Sequence, residues 1–529
     1  MKHSFPKIAL INVTGKNWVF LEPPLGILSV ADYVINKGHI SRKNLLLLDV
    51  VLRDPIPILK YFKPDLVGIS SFTLAFPDAI KLATRIKETF GIPVVIGGIH
   101  ISARPDHIAP PFDLGVVGEG EETFAELIDL FSQDGCFRKD KLRKIKGLVF
   151  RKNDDDFEMT GQRAPITPLD KIPPPDWSLL PEIYFQHDLF RVDGQWKVLK
   201  QGTIFSARGC PFKCLFCGRH SVFQGVRFFS IKRTVDDIEN LVKNYGVEAI
   251  HIYDDTFTIS KERVKELISE MKKRNLLGKV VFPKVFGRAD LVDKGFLKLL
   301  KELGAISVVY GFESGSDRIL KYLKNDTVTV KENIRAIDLT EKFGMDIIGG
   351  FMFASPNETK QDMEKTLDLI KDLARRRNVI KISITRTTPF PGTKLWDYAL
   401  KKGAIKDEVD WISTDLFCCN VKVPAPFFTE KISYKDYEKI WLEAKEICSK
   451  LWDEMEVQKR ALGTTARLRE ISRYNNVMIP VQLLSREFRN DRYTAGTKWF
   501  ADMLKEHMFS REKLQGDFRK LKVLTRSLT

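Results

Sequence analysis

Short apolar runs recur through the first 150 positions, separated by stretches in which apolar residues fall three or four apart. KIALINV, NLLLLDVVL, DLVGISSF, PVVIGG and LGVVGEG are rich in Val, Ile and Leu, the pattern of strands buried on both faces. LGILSVADYVINKG and PDAIKLATRIKETFG, lying between them, have helical spacing and close on a glycine. Strand and helix in alternation predict a parallel sheet with right-handed crossovers. Ligands of such sheets sit beyond the carboxyl ends of the strands. Those ends carry Ser70-Ser71, Gly97-Gly98 and Gly118-Glu119-Gly120, which predicts a Rossmann-like, nucleotide- or cofactor-binding domain over residues 1–150.

The alternation stops over residues 151–200. PITPLDKIPPPDW is too rich in proline for a regular element, so this span is expected to be a linker. From 201 to about 405 the alternation resumes, with strands expected at TIFSARG, AIHIYDD, VFGRAD, SVVYGFES, DIIGGFMF and KISITRT. Helices fall between them at VDDIENLVKNYG, KERVKELISEMKKRN and KGFLKLLKELG. At least six repeats fit a closed or partial (β/α) barrel, whose chemistry lies at the C-terminal ends of its strands. Residues 406–529 read as a basic helical region. The fold class expected is thus α/β: a parallel-sheet domain, a partial barrel and a helical C-terminal region.

Composition changes this picture little. Of 529 residues 43% are hydrophobic and 29% charged, an ordinary globular balance. No apolar run approaches the roughly 20 residues that span a bilayer. The N-terminal residues enter a strand without a signal-peptide core, which predicts a cytoplasmic protein. The net charge of +16 is compatible with anionic partners or with a solvated surface. It is strongest from Lys459 onward, where 16 basic residues face seven acidic ones. There, TKWFADMLKEHMF and REKLQGDFRKLKVL are read as a helical cap on the barrel, with an anionic substrate or lipid headgroups at a membrane surface as the alternative. Trp441, Trp452 and Trp499 suit a hydrophobic pocket or an ordinary core.

Seven cysteines include one tight group, Cys210, Cys214 and Cys217, in ARGCPFKCLFCG. In a reducing compartment such a group points to metal rather than disulfides. Thiolates hold iron–sulfur clusters, and three of them leave one iron of a cubane open to a chelating amine and carboxylate. Structural zinc, with His220 as fourth ligand, would call for a second cysteine pair. Cys418-Cys419 are adjacent and Cys448 stands alone.

The C-x3-C-x2-C spacing closely resembles the radical S-adenosylmethionine (SAM) superfamily. Further segments fall in the family's order: Asp254-Asp255-Thr256-Phe257, Gly311-Phe312-Glu313-Ser314-Gly315, Gly349-Gly350-Phe351 with Pro356-Asn357-Glu358-Thr359, and TPFPGTKLWDYA at 388–399. The resemblance implies an enzyme with a 4Fe-4S cluster on Cys210, Cys214 and Cys217. Phe216, Asp254, Asp255, Glu313 and Ser314 are then expected around SAM, whose reductive cleavage yields a deoxyadenosyl radical. An isolated acidic residue at a strand end, such as Asp254, is also a common cap.

Residues 1–150 resemble the cobalamin-binding domain of one branch of that superfamily, through Pro23-Pro24-Leu25-Gly26, Gly68-Ile69-Ser70-Ser71, Gly97-Gly98-Ile99-His100 and Gly118-Glu119-Gly120-Glu121-Glu122-Thr123. Ser70, Gly97, Gly98, Gly118 and Glu119 are the residues expected at cobalamin. The cobalt-ligating pattern Asp-x-His-x-x-Gly is absent, and His100 is expected to be a loop residue. The resemblance implies a cobalamin-dependent methyltransferase acting on an unactivated carbon of a small-molecule, lipid or peptide substrate. It also implies an external electron donor such as flavodoxin or ferredoxin. A cyclase or rearrangement enzyme without methyl transfer is the nearest alternative, and a cobalamin- or nucleotide-binding regulator with a degenerate barrel is another. No nucleic-acid partner is expected: a tRNA methylthiotransferase carries extra N-terminal cluster cysteines, and only Cys136 precedes the motif here.

Overall fold

The computed structural model describes residues 5–14, 22–153, 156–223, 225–405 and 430–474, with residues 220, 221 and 456–474 as backbone alone. Cys418-Cys419, Trp499 and the two basic segments at 497–509 and 511–524 lie outside them.

Seven strands build the first sheet: β1 (Ile8–Val13), β2 (Leu45–Asp49), β3 (Leu66–Ser71), β4 (Val94–Gly97), β5 (Leu114–Val116), β6 (Leu148–Arg151) and β7 (Phe157–Met159), in the order β2-β1-β3-β4-β5-β6-β7. The first five are parallel, as the apolar runs predict, and β6 and β7 are antiparallel additions at one edge. Alternate residues of each central strand feed opposite cores. Ile8, Leu10, Leu66 and Val95 pack under helices Leu25–Asn36 and Glu121–Asp134. Ala9, Ile11, Val67 and Ile96 pack under helix Phe76–Phe90. Helix Glu121–Asp134 and the two edge strands were not expected from the sequence.

The irregular part of the 151–200 span is confined to about residues 160–186, which hold short 3-10 turns around the prolines. Within that span β8 (His187–Val192) and the start of β9 (Gln195–Ile204) already form an antiparallel hairpin. The strand expected at TIFSARG is interrupted: β9 ends at Ile204, and β10 (Ala207–Gly209) turns away to pair with β11 (Val226–Phe228). β12 (Ala249–Ile252) lies parallel to β9. It joins β13 (Phe282–Gly287) through a bridge at Ala249 and Val281. β14 (Ala305–Glu313), β15 (Asp346–Phe353) and β16 (Val379–Arg386) continue the parallel series. Six parallel strands with helices between them make the partial barrel.

The barrel helices start where the sequence supplies a cap. Ser230, Ser260 and Asp293 accept from the N–H three residues on, and Thr329 and Thr359 complete capping boxes with Glu332 and Asp362. Helix Tyr434–Tyr474 follows, and its Tyr437 and Trp441 are buried, with Trp441 edge-on to Phe353 of β15.

Candidate active site

The cysteine loop leaves β10 at Gly209, whose φ is 87° and whose missing Cβ makes room for the Gly225 carbonyl. Backbone bonds then pin it: Leu215 N–H donates to the Leu323 carbonyl at 2.9 Å, and Leu395 N–H to the Leu215 carbonyl at 3.4 Å. Cys210, Cys214 and Cys217 are thus carried on one short, fixed loop, all partly buried. Thr256 Oγ1 lies 3.4 Å from Cys210 Sγ, and Arg288 donates from Nη1 towards Cys214 Sγ at 3.8 Å. Burial pushes the Cys214 and Cys217 thiols up, while Lys324 and Arg288 pull Cys214 back down. Three thiols on one loop, whose Phe212 and Phe216 rings carry the cations Arg288 and Lys324, fit an anionic metal–thiolate group.

Glu313 ends β14 beyond a register shift, with a φ of 61°. Its carboxylate occupies the space that a Cβ on Gly311 would fill. It pairs with Lys324 Nζ at 3.1 Å, and Lys324 in turn donates to the Gly311 carbonyl and lies over the Phe216 ring. Asp255 pairs with Arg219 Nε at 3.0 Å beside the same loop. Phe216, Glu313 and Asp255 are therefore brought around the cysteines.

Asp254 and Ser314 are placed differently from the expectation. Asp254 is buried and accepts from the Ser206 N–H at 2.7 Å, the Ala207 N–H at 2.9 Å and the Ser206 hydroxyl. Burial raises its pKa to about 6. These bonds stop β9 and redirect the chain into β10, so Asp254 shapes the loop rather than facing a ligand ammonium. Ser314 is fully buried, 3.1 Å from Thr366 Oγ1, and accepts from the Ser316 N–H. It braces the strand end against helix Lys360–Ala374.

A cavity of about 420 Å³ separates the carboxyl ends of the first sheet from the barrel. Ser70, Gly97 and Gly98 border it from the first sheet, and Thr203, Arg208, Tyr253 and Asp255 border it from the barrel. Gly98, with φ 101°, lies so close to β3 that a Cβ would stand 2.2 Å from the Ser71 carbonyl oxygen. Gly97 is open: its nearest neighbour to such an atom is 3.9 Å away. Gly118 does not reach the cavity and instead donates its N–H to Ser102. Glu119 reaches it but is fully engaged, accepting from Arg208, Arg227 and the Ile166 N–H at 2.8–2.9 Å. Burial pushes its carboxyl up, but Arg227, Arg208 and the Ile166 N–H together hold it below the usual range. Arg208 also donates to Glu121 and Ser29, so one arginine ties the first domain to the strand that precedes Cys210.

His100 is buried in the short helix Ile99–Ala103 rather than in a loop. Its Nδ1 lies 3.3 Å from Thr73 Oγ1 and its Nε2 3.2 Å from His107 Nδ1, with the ring against Phe76. Both nitrogens are turned inward, and burial drives its pKa down to about 3.

The family model of the radical SAM superfamily matches residues 204–370, and that of the B12 binding domain matches residues 11–128. An uncharacterized methyltransferase of Pyrococcus horikoshii is 32% identical over 385 residues, 72% of this chain and 78% of that protein. The chain belongs to the radical SAM superfamily. This radical SAM enzyme is also 29% identical, over 370 residues, to the anaerobic magnesium-protoporphyrin IX monomethyl ester cyclase of Rubrivivax gelatinosus, covering 67% of this chain and 62% of that one. It shares its fold with the radical SAM methyltransferase TsrM from Kitasatospora setae, a structure with cobalamin and a 4Fe-4S cluster bound. The TM-score is 0.62 at 18% identity, covering 84% of this chain and 89% of that one.

Sequence reasoning missed Arg288, Lys324 and Arg208 at the site. Arg288 had a usable signal, a charged residue directly after the last residue of a barrel strand. Arg208 had none, because its partners come from distant segments, and Lys324, paired with Glu313 eleven residues earlier, looks like any basic residue in the last turn of a helix.

Proposed function

We propose that this radical SAM enzyme is a cobalamin-dependent methyltransferase that places a methyl group on an unactivated carbon of a small-molecule, lipid or peptide substrate. The reading is carried by one observation: the open carboxyl end of the B12-type sheet, at Ser70 and Gly97, faces the barrel end that carries the cysteine loop across a single cavity. Cys210, Cys214 and Cys217 would hold the cluster, with Phe216, Asp255 and Glu313 beside SAM and Ser70, Gly97 and Gly98 under cobalamin. When bound, the cluster and cobalamin supply electron transfer to SAM and carriage of a methyl group. The chain's own part is placement. The Glu313–Lys324 pair fixes a carboxylate at the end of β14. Tyr253 donates to Glu22 across the cavity and holds its wall together. A low-potential donor of the flavodoxin or ferredoxin kind would supply electrons. Among the described residues no helix is long and apolar enough to cross a membrane.

Anaerobic reconstitution with iron, sulfide and cobalamin, followed by SAM, reductant and mass spectrometry, tests the reading. Deoxyadenosine together with S-adenosylhomocysteine, the latter only with cobalamin present, is the expected result. Deoxyadenosine alone would instead support the second reading, a cyclase or rearrangement enzyme, which the likeness to the Rubrivivax gelatinosus cyclase favours. Neither product from a fully loaded protein would overturn both.

A further inference from the structure

Arg288 lies outside the cysteine motif but is held against it on every side. Its side chain is 7% exposed. Nε reaches Asp290 Oδ1 at 2.9 Å, and Nη2 donates to Thr327 Oγ1 at 2.7 Å and to Asp290 Oδ2 at 3.3 Å. The guanidinium stacks on Phe212, 3.7 Å from the ring centroid. With those contacts made, Nη1 is left directed at Cys214 Sγ, 3.8 Å away. An arginine needed only to tie Asp290 to Thr327 would not require an aromatic shelf that turns its last donor towards a thiol.

We propose that Arg288 is a positioning residue acting through Cys214, and that its N–H raises the potential at which the cluster takes up an electron. The inference rests on the reading that Cys210, Cys214 and Cys217 hold the cluster. Reduction adds one electron from a donor of the flavodoxin or ferredoxin class, with no bond made or broken and no proton moved. The added negative charge spreads onto the ligating sulfurs. A fixed cationic donor at one of them favours the reduced form, because hydrogen bonds to sulfur and local charge set cluster potentials. Asp290 offsets part of the guanidinium charge, so the two residues push the potential in opposite directions.

The test is an EPR-monitored redox titration of the full-length protein, reconstituted anaerobically and matched for iron and sulfide content. Arg288→Met keeps the aliphatic stem on Phe212 and removes both donor and charge. It is expected to load fully and to hold about tenfold less reduced cluster at a fixed poise, a shift of 59 mV to more negative potential for a one-electron couple. Arg288→Lys keeps the charge without the planar fork and should fall between. Asp290→Asn keeps the donor, removes its counter-charge and should shift the midpoint positive. A loaded Arg288→Met protein at the wild-type midpoint overturns the proposal. So does an Asp290→Asn protein without a positive shift, which decides the matter if Arg288→Met fails to load. A Cys214→Ala protein that kept the wild-type cluster signal would defeat the ligand assignment instead, and is read separately.

Discussion

Two adjacent glycines at the end of β4 do different work, and a methyl group tells them apart. Gly98 has a left-handed backbone, and a Cβ there would collide with Ser71. Gly98→Ala is expected to destabilise the protein by on the order of 3 kcal/mol in urea denaturation. Gly97 opens onto the cavity, so Gly97→Leu should stay within about 1 kcal/mol of wild type while abolishing cobalamin uptake, read by absorbance after reconstitution. His100 gives a pH signature. Its native pKa, near 3, lies below the unfolded value of 6.5, so the unfolded chain binds more protons between the two. The stability it contributes is present above pH 6.5 and lost progressively as the pH falls towards 3. The stability difference between wild type and His100→Gln, measured by denaturant titration at pH 7.5, 6 and 5, should therefore shrink with acidification. Locally encoded features of the site, such as the cysteine spacing, were legible at this scale. The role of Asp254 was not, because a carboxylate at a strand end looks the same whether it meets a ligand or the amides of Ser206 and Ala207.

At the scale of elements, β14 depends on a bond to the helix that follows it. Glu313 and Lys324, both nearly buried, satisfy each other at 3.1 Å across helix Asp317–Lys324. Lys324→Met leaves a buried carboxylate without its cation and should cost about 3–5 kcal/mol. Glu313→Gln combined with Lys324→Met should recover a large part of that loss, so a double-mutant cycle by denaturant titration will show strong coupling. The central strands could be read from the sequence because both of their faces are buried, which leaves runs such as IALI and VVI unbroken by polar residues. β7 and β8 could not. They lie at sheet edges, where FEM and HDLFRV mix exposed and buried positions and carry no clear period. TIFSARG reads as one strand although Asp254, nearly fifty residues later, divides it.

For the molecule as a whole, Arg208 concentrates the attachment of the B12-type domain. It bonds Glu119, Glu121 and Ser29 from β10, and Arg227 of β11 reinforces it at Glu119. Arg208→Ala leaves the buried Glu121 with the Ser29 hydroxyl but without its cation and is expected to cost about 3–5 kcal/mol. Limited proteolysis should then cut faster within residues 160–186. S-adenosylhomocysteine formation should fall at least tenfold while deoxyadenosine formation persists. Domain order was evident from the change in hydrophobic pattern; the clamp was not, since Arg208 lies 87 to 179 residues from its partners and Glu119 was read towards cobalamin instead.

Gly209 alone separates Arg208 from Cys210. The strand that grips one domain is therefore also the root of the cysteine loop, and a single short segment acts as a gauge block between them.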